Sequence, residues 1–439
     1  LHIVRDRVRD QVRNNPHGAK AVSEIENAVV GTGIMATTNT PDKGKTQDRA
    51  RGLWRDWSES TDCDADGMNN WYGLQSLAVR TIAEGGEVLI VRKRTRARKG
   101  AVPLQIQVLE GDFIDTSKEQ LLDNGGYIRM GVEYDKSGKR VAYWLWNQHP
   151  GESLLLSLKQ GLLSQRWPAE DVQHVFRFDR SGQVRGMSWG APCVIRLNDL
   201  DAYTDAQLLR QRIAASFAGF VRDIEMPDTI EAAKSVFGDK LEAGAIEILP
   251  AGKTIEFPNL PMVQNDGHQE RVLRSIAAGW GVTYEGLTGD WSQVNYTSGR
   301  LGLIGFKRNV SKWQWLMFIP RVNAPVFRWF KEACELMGQD IAQAVQIYTP
   351  PRFEVVDPTK DYPAITGGIR SGLMTLPEAI REQGYDPEEH LAEIKRSNDD
   401  LDRQGIILDS DPRKVMKSGI MQQPTAEELS PDTPAPAAP

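Results

Sequence analysis

The spacing of apolar residues changes several times along the chain, and each change predicts an element. In KAVSEIENAVV (20–30), Ala21, Ile25 and Ala28 with Val29 fall on one face at helical spacing. The first fifty residues therefore read as helical, ending in GTG and a polar loop, TTNTPDKGKTQD (37–48). LWRDWSES (53–60) and YGLQSLAVRTIAEGG (72–86) read as two more helices, the second closed by its glycine pair. EVLIVRKR (87–94) and PLQIQVLEGDFI (103–114) then alternate as strands of a hairpin joined by a basic loop. GVEYDKSGKRVAYWLW (131–146) repeats that arrangement, with its turn at DKSGK. Beyond Asn198 the texture becomes helical again: Leu197, Leu200, Tyr203, Ala206, Leu209, Ile213, Phe217 and Phe220 are spaced by threes and fours. Asp199, Asp201 and Asp205 precede Arg210 and Arg212, as the helix dipole favours.

A strand-and-turn insert, GAIEILPAGKTIEFPNL (244–260), separates this helix from a second at about 266–280. The loop GVTYEGLTGDWSQVNYTSGR (281–300) follows, with Thr297 or Ser298 as the expected cap of the next helix. That helix carries Trp313, Trp315, Phe318, Phe327, Trp329 and Phe330, and Pro320 and Pro325 should kink or break it. A smaller helical unit is expected over about 375–405, and the polar stretch from 411 on reads as disordered.

Composition narrows the class. The chain has 439 residues, 40% hydrophobic and 26% charged, enough for two to four regions with ample core. A net charge of −6 argues against tight, static binding of nucleic acid or an anionic membrane. Cys63, Cys193 and Cys334 are few, distant and odd in number, which fits a reducing compartment without a disulfide framework. The longest apolar run, WLMFI (315–319), is far too short for a bilayer, and the N-terminus has no signal-peptide core. The sequence begins at Leu1 rather than Met, which reads as a truncated or processed start.

Four patterns imitate enzyme motifs, and each lacks a part that its chemistry needs. Gly186-Met187-Ser188-Trp189-Gly190 matches a nucleophile elbow, but a polar turn precedes it instead of an apolar strand, and His268 or His390 is paired with it only by assumption. Gly44-Lys45-Thr46 and Gly252-Lys253-Thr254 end like phosphate-binding loops, yet Asn39 and Glu247 stand where the first glycine belongs. Asp62, Asp64, Asp66 and Gly67 copy the first half of a calcium loop, whose twelfth position is Gly73 instead of Glu. Gly31, Gly33 and Ala36 copy a dinucleotide fingerprint but follow a helix. The basic stretch Arg92, Lys93, Arg94, Arg96, Arg98 and Lys99 reads as a solvated hairpin tip rather than a phosphate site. No metal, cofactor or catalytic residue is assigned.

The order of helices, strand insert, aromatic loop and long helix resembles the portal proteins of lambda-type tailed bacteriophages and prophages. The stretches that carry the resemblance are RNNP (13–16), VVGTGI (29–34), CDADGMNNWYGLQSLAVRTIAEGGEVLI (63–90), PAEDVQHVF (168–176), GQVRGMSW (182–189), DLDAYTDAQLLRQRIAASFAGF (199–220), GVTYEGLTGDWSQVNYTSGR (281–300), PPR (350–352), VDP (356–358) and GYDPEEH (384–390). The resemblance implies an α+β portal fold assembled as a dodecameric ring at one capsid vertex, a structural conduit for double-stranded DNA. It implies a wing (1–195), stem helices (196–223 and 266–281), a clip between them (224–265) and a tunnel loop (282–297). A kinked long helix with more wing (298–375), a crown (376–410) and a tail (411–439) complete the expected layout.

Implied partners are other copies of the chain, terminase, a head-completion or tail-connector protein, capsid protein, and DNA held weakly without sequence preference; no membrane is expected. The implied locations are the virion and, during assembly, the host cytoplasm. The expected DNA-facing residues are Asp290, Trp291, Ser292, Gln293, Val294, Asn295 and Tyr296, with Glu247, Lys253 and Glu256 of the clip toward terminase. An enzyme, either a hydrolase through Ser188 or a packaging ATPase, is the alternative.

Overall fold

The structure, a computed structural model, describes all residues except 43, 96–100, 152–161, 217–219, 224–252, 257–266, 354–356, 407 and 409–439; for 213–216, 220–223 and 253–256 it describes the backbone alone. Two compact units divide the chain at Pro351 and Arg352.

In the first unit, α1 (His2–Asn14) and α2 (Pro16–Val29) meet at Asn15. The Asn15 side chain accepts hydrogen bonds from the His17 and Gly18 amides at 2.9 and 3.2 Å, and Pro16 fixes the first helical φ. Ala21, Ile25 and Val29 lie on the buried face of α2 as their spacing predicts, joined by Val22, while Ala28 is half-buried. The polar run after it is not wholly a loop. Met35–Asn39 forms β1, paired antiparallel with β12 (Val345–Thr349) in register Met35↔Thr349. No local pattern announces this strand, because its partner lies some three hundred residues away in sequence.

Helices α3 (Lys45–Glu59) and α4 (Trp71–Gly85) follow. Gly86 closes α4 with φ 91°, its N–H donating to the Ile82 carbonyl at 2.8 Å. Strand β2 (Glu87–Arg94) then becomes the centre of a three-stranded sheet between β3 (Leu104–Glu110) and β9 (Val172–Phe176). The sequence reading found the β2–β3 hairpin; the third strand pairs across about eighty residues. Strands β4 (Gln120–Leu121), β5 (Tyr127–Arg129), β6 (Val132–Tyr134), β7 (Arg140–Trp146) and β8 (Ser164–Pro168) make an antiparallel meander. Its DKSGK turn is held by the Asp135 carboxylate, which accepts the Ser137 and Lys139 amides. Leu89 and Val91 of the first sheet pack with Val132, Tyr143 and Leu145 of the second in one core.

Helix α5 (Val194–Ser216) ends sooner than expected, and Phe220–Asp223 is a strand, β10, paired with β11 (Lys253–Glu256). Among its described side chains, Leu197 and Leu200 at the start are buried, whereas Leu208 and Leu209 are exposed. Helix α6 (His268–Trp280) leads through α7 (Tyr284–Thr288) to α8 (Tyr296–Trp313). The long helix neither breaks nor ends at its prolines. It continues as a π-helical segment, Gln314–Asn323, and then as α9 (Ala324–Leu336). Wider turns accommodate the N–H that Pro320 lacks, and Pro325 falls in the first turn of α9, where no N–H is needed. Phe327 and Phe330 of α9 close an aromatic core with Trp54, Trp57 and Trp71.

The second unit contains α10 (Pro358–Arg370), α11 (Leu376–Glu382) and α12 (Pro387–Gln404). The last two match the expected helical unit, whereas α10 was not foreseen because its glycines and proline obscure the periodicity. The expected disordered tail lies outside the described residues.

Candidate functional site

The loop between α6 and α8 is a chain of short, locally bonded turns. Gly281 ends α6 at φ 77°, donating to the Ala277 carbonyl, and buried Val282 and Leu287 pin the entry to the core. Thr283 caps α7 by accepting the Gly286 amide at 3.0 Å, and Gly289 ends it in the left-handed region. The Asp290 carboxylate then accepts the Ser292 amide at 3.0 Å. That hydrogen bonding to Ser292 holds its carboxyl below the usual carboxylate range. Val294 donates to the Trp291 carbonyl, and the Asn295 side chain accepts the Ser298 amide while Ser298 answers with its hydroxyl.

This capping box corrects the sequence reading. Asn295 is the cap, Ser298 is its reciprocal partner, and Thr297 caps nothing. Tyr296 therefore starts α8, and the Arg300 guanidinium donates to its hydroxyl at 2.9 Å. Asp290, Trp291, Ser292, Gln293, Asn295 and Tyr296 are exposed, and Val294 is half-buried. Trp291 is 62% exposed, so this large ring covers no core. Of the three clip residues, Glu247 lies outside the described residues. Lys253 and Glu256 are at the two ends of β11, opposite Asp223 and Phe220.

Packing accounts for three of the enzyme-like patterns, while Gly252 and Glu247 of the second phosphate-loop pattern lie outside the described residues. Ser188 is buried and donates to the Ala83 carbonyl at 3.4 Å. A Cβ on Gly186 would sit 2.1 Å from the Gly86 carbonyl oxygen, so the glycine permits a backbone crossing rather than an elbow. Gly44 does stand between a strand and a helix, but β1 is a half-exposed ribbon strand, and Asn39 is bonded by Arg51. In the calcium-like loop, the Asp64 carboxylate is taken by the amides of Asp66, Met68 and Asn69. All three cysteines are free and buried, and burial pushes their thiols up to about 12, 11 and 12.

The densest chemistry is a buried ionic centre absent from the sequence reading. Glu87, wholly buried at the start of β2, accepts from Arg5 at 2.6 Å, Arg185 at 3.0 Å and the Gly186 amide at 2.7 Å. His174 on β9 lies 2.9 Å from it through Nε2, and Arg140 lies 3.1 Å from His174 Nδ1. An arginine only donates, so Nδ1 is the acceptor and Nε2–H donates to Glu87. Burial opposes the Glu87 charge, but Arg185 and His174 outweigh it and hold the carboxyl well below the usual range. Burial brings His174 down to about 4 against the pull of Glu87. Arg321, in the π-helical segment, donates to the His174 and Phe176 carbonyls and so caps the free edge of β9.

Near this centre, potential ligand atoms of Glu110, Asp112 and His149 come within 4.8 Å of one another. Arg9 already bridges both carboxylates, and Arg5 donates to Asp112 at 2.8 Å, so cations of the chain neutralise the group. The sequence signal for the ionic centre was a charge in otherwise apolar or glycine-bound surroundings: Glu87 after Gly85-Gly86, and Arg185 before Gly186.

Comparison with known proteins gives a consistent result. Residues 1–314 match the family model described as phage portal protein, lambda family. The chain is 28% identical over 425 residues to the probable portal protein of Halomonas phage phiHAP-1, covering 92% of this chain and 81% of that protein. It is 20% identical over 488 residues to portal protein B of Escherichia phage lambda, covering 97% and 88%. Among solved structures, the neck of an empty gene transfer agent particle (C6 symmetry) has a TM-score of 0.50 at 17% identity, covering 86% of this chain and 92% of that one. The neck of the native particle (C12 symmetry) has the same TM-score at 16% identity, covering 86% and 93%. At that identity the structures speak for the fold alone. Among the described residues, no helix is long and apolar enough to cross a membrane.

Proposed function

The chain belongs to the lambda family of phage portal proteins, and from that premise we propose that its copies close into a dodecameric ring at one capsid vertex. The ring is the conduit through which double-stranded DNA enters during packaging and leaves during ejection. The wing is 1–195, the stem 196–223 and 266–281, the clip 224–265, and the crown 376–410. Terminase and later a head-completion protein dock on the clip, through Glu247, Lys253 and Glu256. Assembly takes place in the host cytoplasm and the finished ring belongs to the virion.

The observation that carries this reading is the loop Asp290–Tyr296, a row of exposed side chains held on a backbone anchored at both ends. Within a ring such a loop forms a collar. Trp291, Gln293 and Asn295 offer contact area and hydrogen bonds without a cation, so DNA is touched but not held, since each cation on a phosphate adds salt-dependent affinity. No catalytic role enters the proposal. The enzyme alternative gains no support, because Ser188 is buried on a backbone carbonyl and the first glycine of each phosphate-loop pattern is missing.

Negative-stain images of the purified full chain, with light scattering, test the ring. Closed rings with a central opening are expected. A monomer across a broad concentration range, with no ring in the images, would sink the proposal. Weak, sequence-blind DNA binding is the companion expectation; nanomolar, sequence-selective binding at physiological salt contradicts a conduit.

A further inference from the structure

Helix α8 carries four cations, Arg300, Lys307, Arg308 and Lys312, and no acidic residue in its 18 residues. With +4 from this helix in a chain of net −6, everything else carries −10. One side of α8 is buried through Phe306, Val310 and Trp313. On the opposite side Leu301 is 66% exposed and Ile304 42%, and Trp315 and Leu316 of the π-helical segment are exposed beyond them. Leu301, Gly305, Arg308 and Lys312 follow one another at steps of four, three and four, which places them along one strip of the helix.

Two glycines in this helix meet no packing demand among the described residues. A Cβ added to Gly302 or Gly305 would meet no described atom within 4 Å. Both are exposed, and glycine is the poorest helix former after proline. A helix that gives up stability at its exposed side, and shows leucine, isoleucine and tryptophan there, is shaped for close approach by another protein surface.

We infer that this exposed side of α8 is a docking face for an acidic surface on a second copy of the same chain. The inference rests on the ring proposed above and specifies which surface builds it. A second copy fits because this helix carries +4 with no acid of its own while the rest of the chain sums to −10, so head-to-tail copies set a basic strip against a surface of net opposite charge. Duplex DNA fits less well, since phosphates make no use of an exposed Leu301 or Ile304.

The test uses the full chain with Gly305→Leu and, separately, Arg308→Glu with Lys312→Glu, each examined by native mass spectrometry and sedimentation. Gly305→Leu should keep the dissociated subunit folded, with a melting temperature equal to or above that of the unmodified chain, while weakening assembly by about tenfold or more. A gain in subunit stability joined to a loss of assembly is an outcome that simple misfolding cannot produce. The charge reversal, confined to exposed side chains, should also give folded subunits that fail to assemble, and it decides the matter if Gly305→Leu does not fold. If the unmodified chain and both variants form rings at the same concentration, the docking face is overturned and the ring stands. If the unmodified chain forms none, the ring falls and this inference with it. Normal assembly of the charge-reversed chain with loss of duplex DNA retention would assign the face to nucleic acid, against the inference.

Discussion

Glu87 and Asp290 are both carboxylates held below the usual range, and their surroundings differ in every other respect. Glu87 is wholly buried, and its partners, Arg5, His174 and Arg185, come from segments about eighty to a hundred residues away. Asp290 is exposed, and its carboxylate accepts the amide two residues on. The first arrangement joins α1, two sheets and the segment at 185 into one body. The second shapes a loop while leaving its side chains pointing outward. Long-range pairing holds the scaffold together, and local pairing shapes an exposed loop.

The largest effect that could break this contrast is at Glu87. Glu87→Gln leaves Arg185 buried without its counter-charge and Arg5 with Asp112 alone, and should cost about 3–5 kcal/mol in urea denaturation followed by circular dichroism. A cost below about 1 kcal/mol would mean the centre does not hold the scaffold together.

Next in size is the pH dependence. His174 is depressed to about 4 in the folded chain, so below its ordinary value near 6.5 the unfolded chain binds the extra proton. Stability is therefore full above about 6.5 and falls as the pH drops toward 4, by roughly 3 kcal/mol. Glu87 acts in the same direction at still lower pH, because its folded carboxyl is also depressed. His174→Gln keeps an acceptor for Arg140 and a donor for Glu87 without titrating, and should flatten the profile between those limits. An unchanged slope would place the acid sensitivity elsewhere.

Smaller effects sharpen the other side of the comparison. Asn295→Ala removes the α8 cap and should cost about 1 kcal/mol by thermal denaturation, whereas Asn295→Gly should cost a few tenths. Trp291→Ala should change stability by less than about 0.5 kcal/mol, since a ring 62% exposed supports little. A loss of several kcal/mol at Trp291 would return it to the core.

How much of this was legible follows the same division. Local signals were read correctly for the α2 face, the Gly86 cap and the β2–β3 and β6–β7 hairpins, each of which depends on residues a few positions apart. Of the expected loop 282–297, residues 290–296 are largely exposed, whereas 284–288 form a helix with Val282 and Leu287 buried. What depended on distant partners was not. β1 looked polar because its pairing supplies what its composition lacks, and β9 joined its sheet from about eighty residues away. Likewise, Arg5, Glu87, His174 and Arg185 are individually ordinary residues, and only the fold makes them a centre. The π-helical segment shows another limit, since Pro320 predicts that a helix must adjust but not whether it breaks or widens.

The central proposal is that the exposed side chains of Asp290–Asn295 serve contact with DNA, Asn295 capping α8 besides. Replacing residues 290–295 by glycine and measuring both the melting temperature of the assembled protein and the amount of DNA packaged tests it most directly. The account predicts intact rings, a nearly unchanged melting temperature and reduced DNA packaged or retained. Collapse of the fold without a specific packaging defect would contradict it.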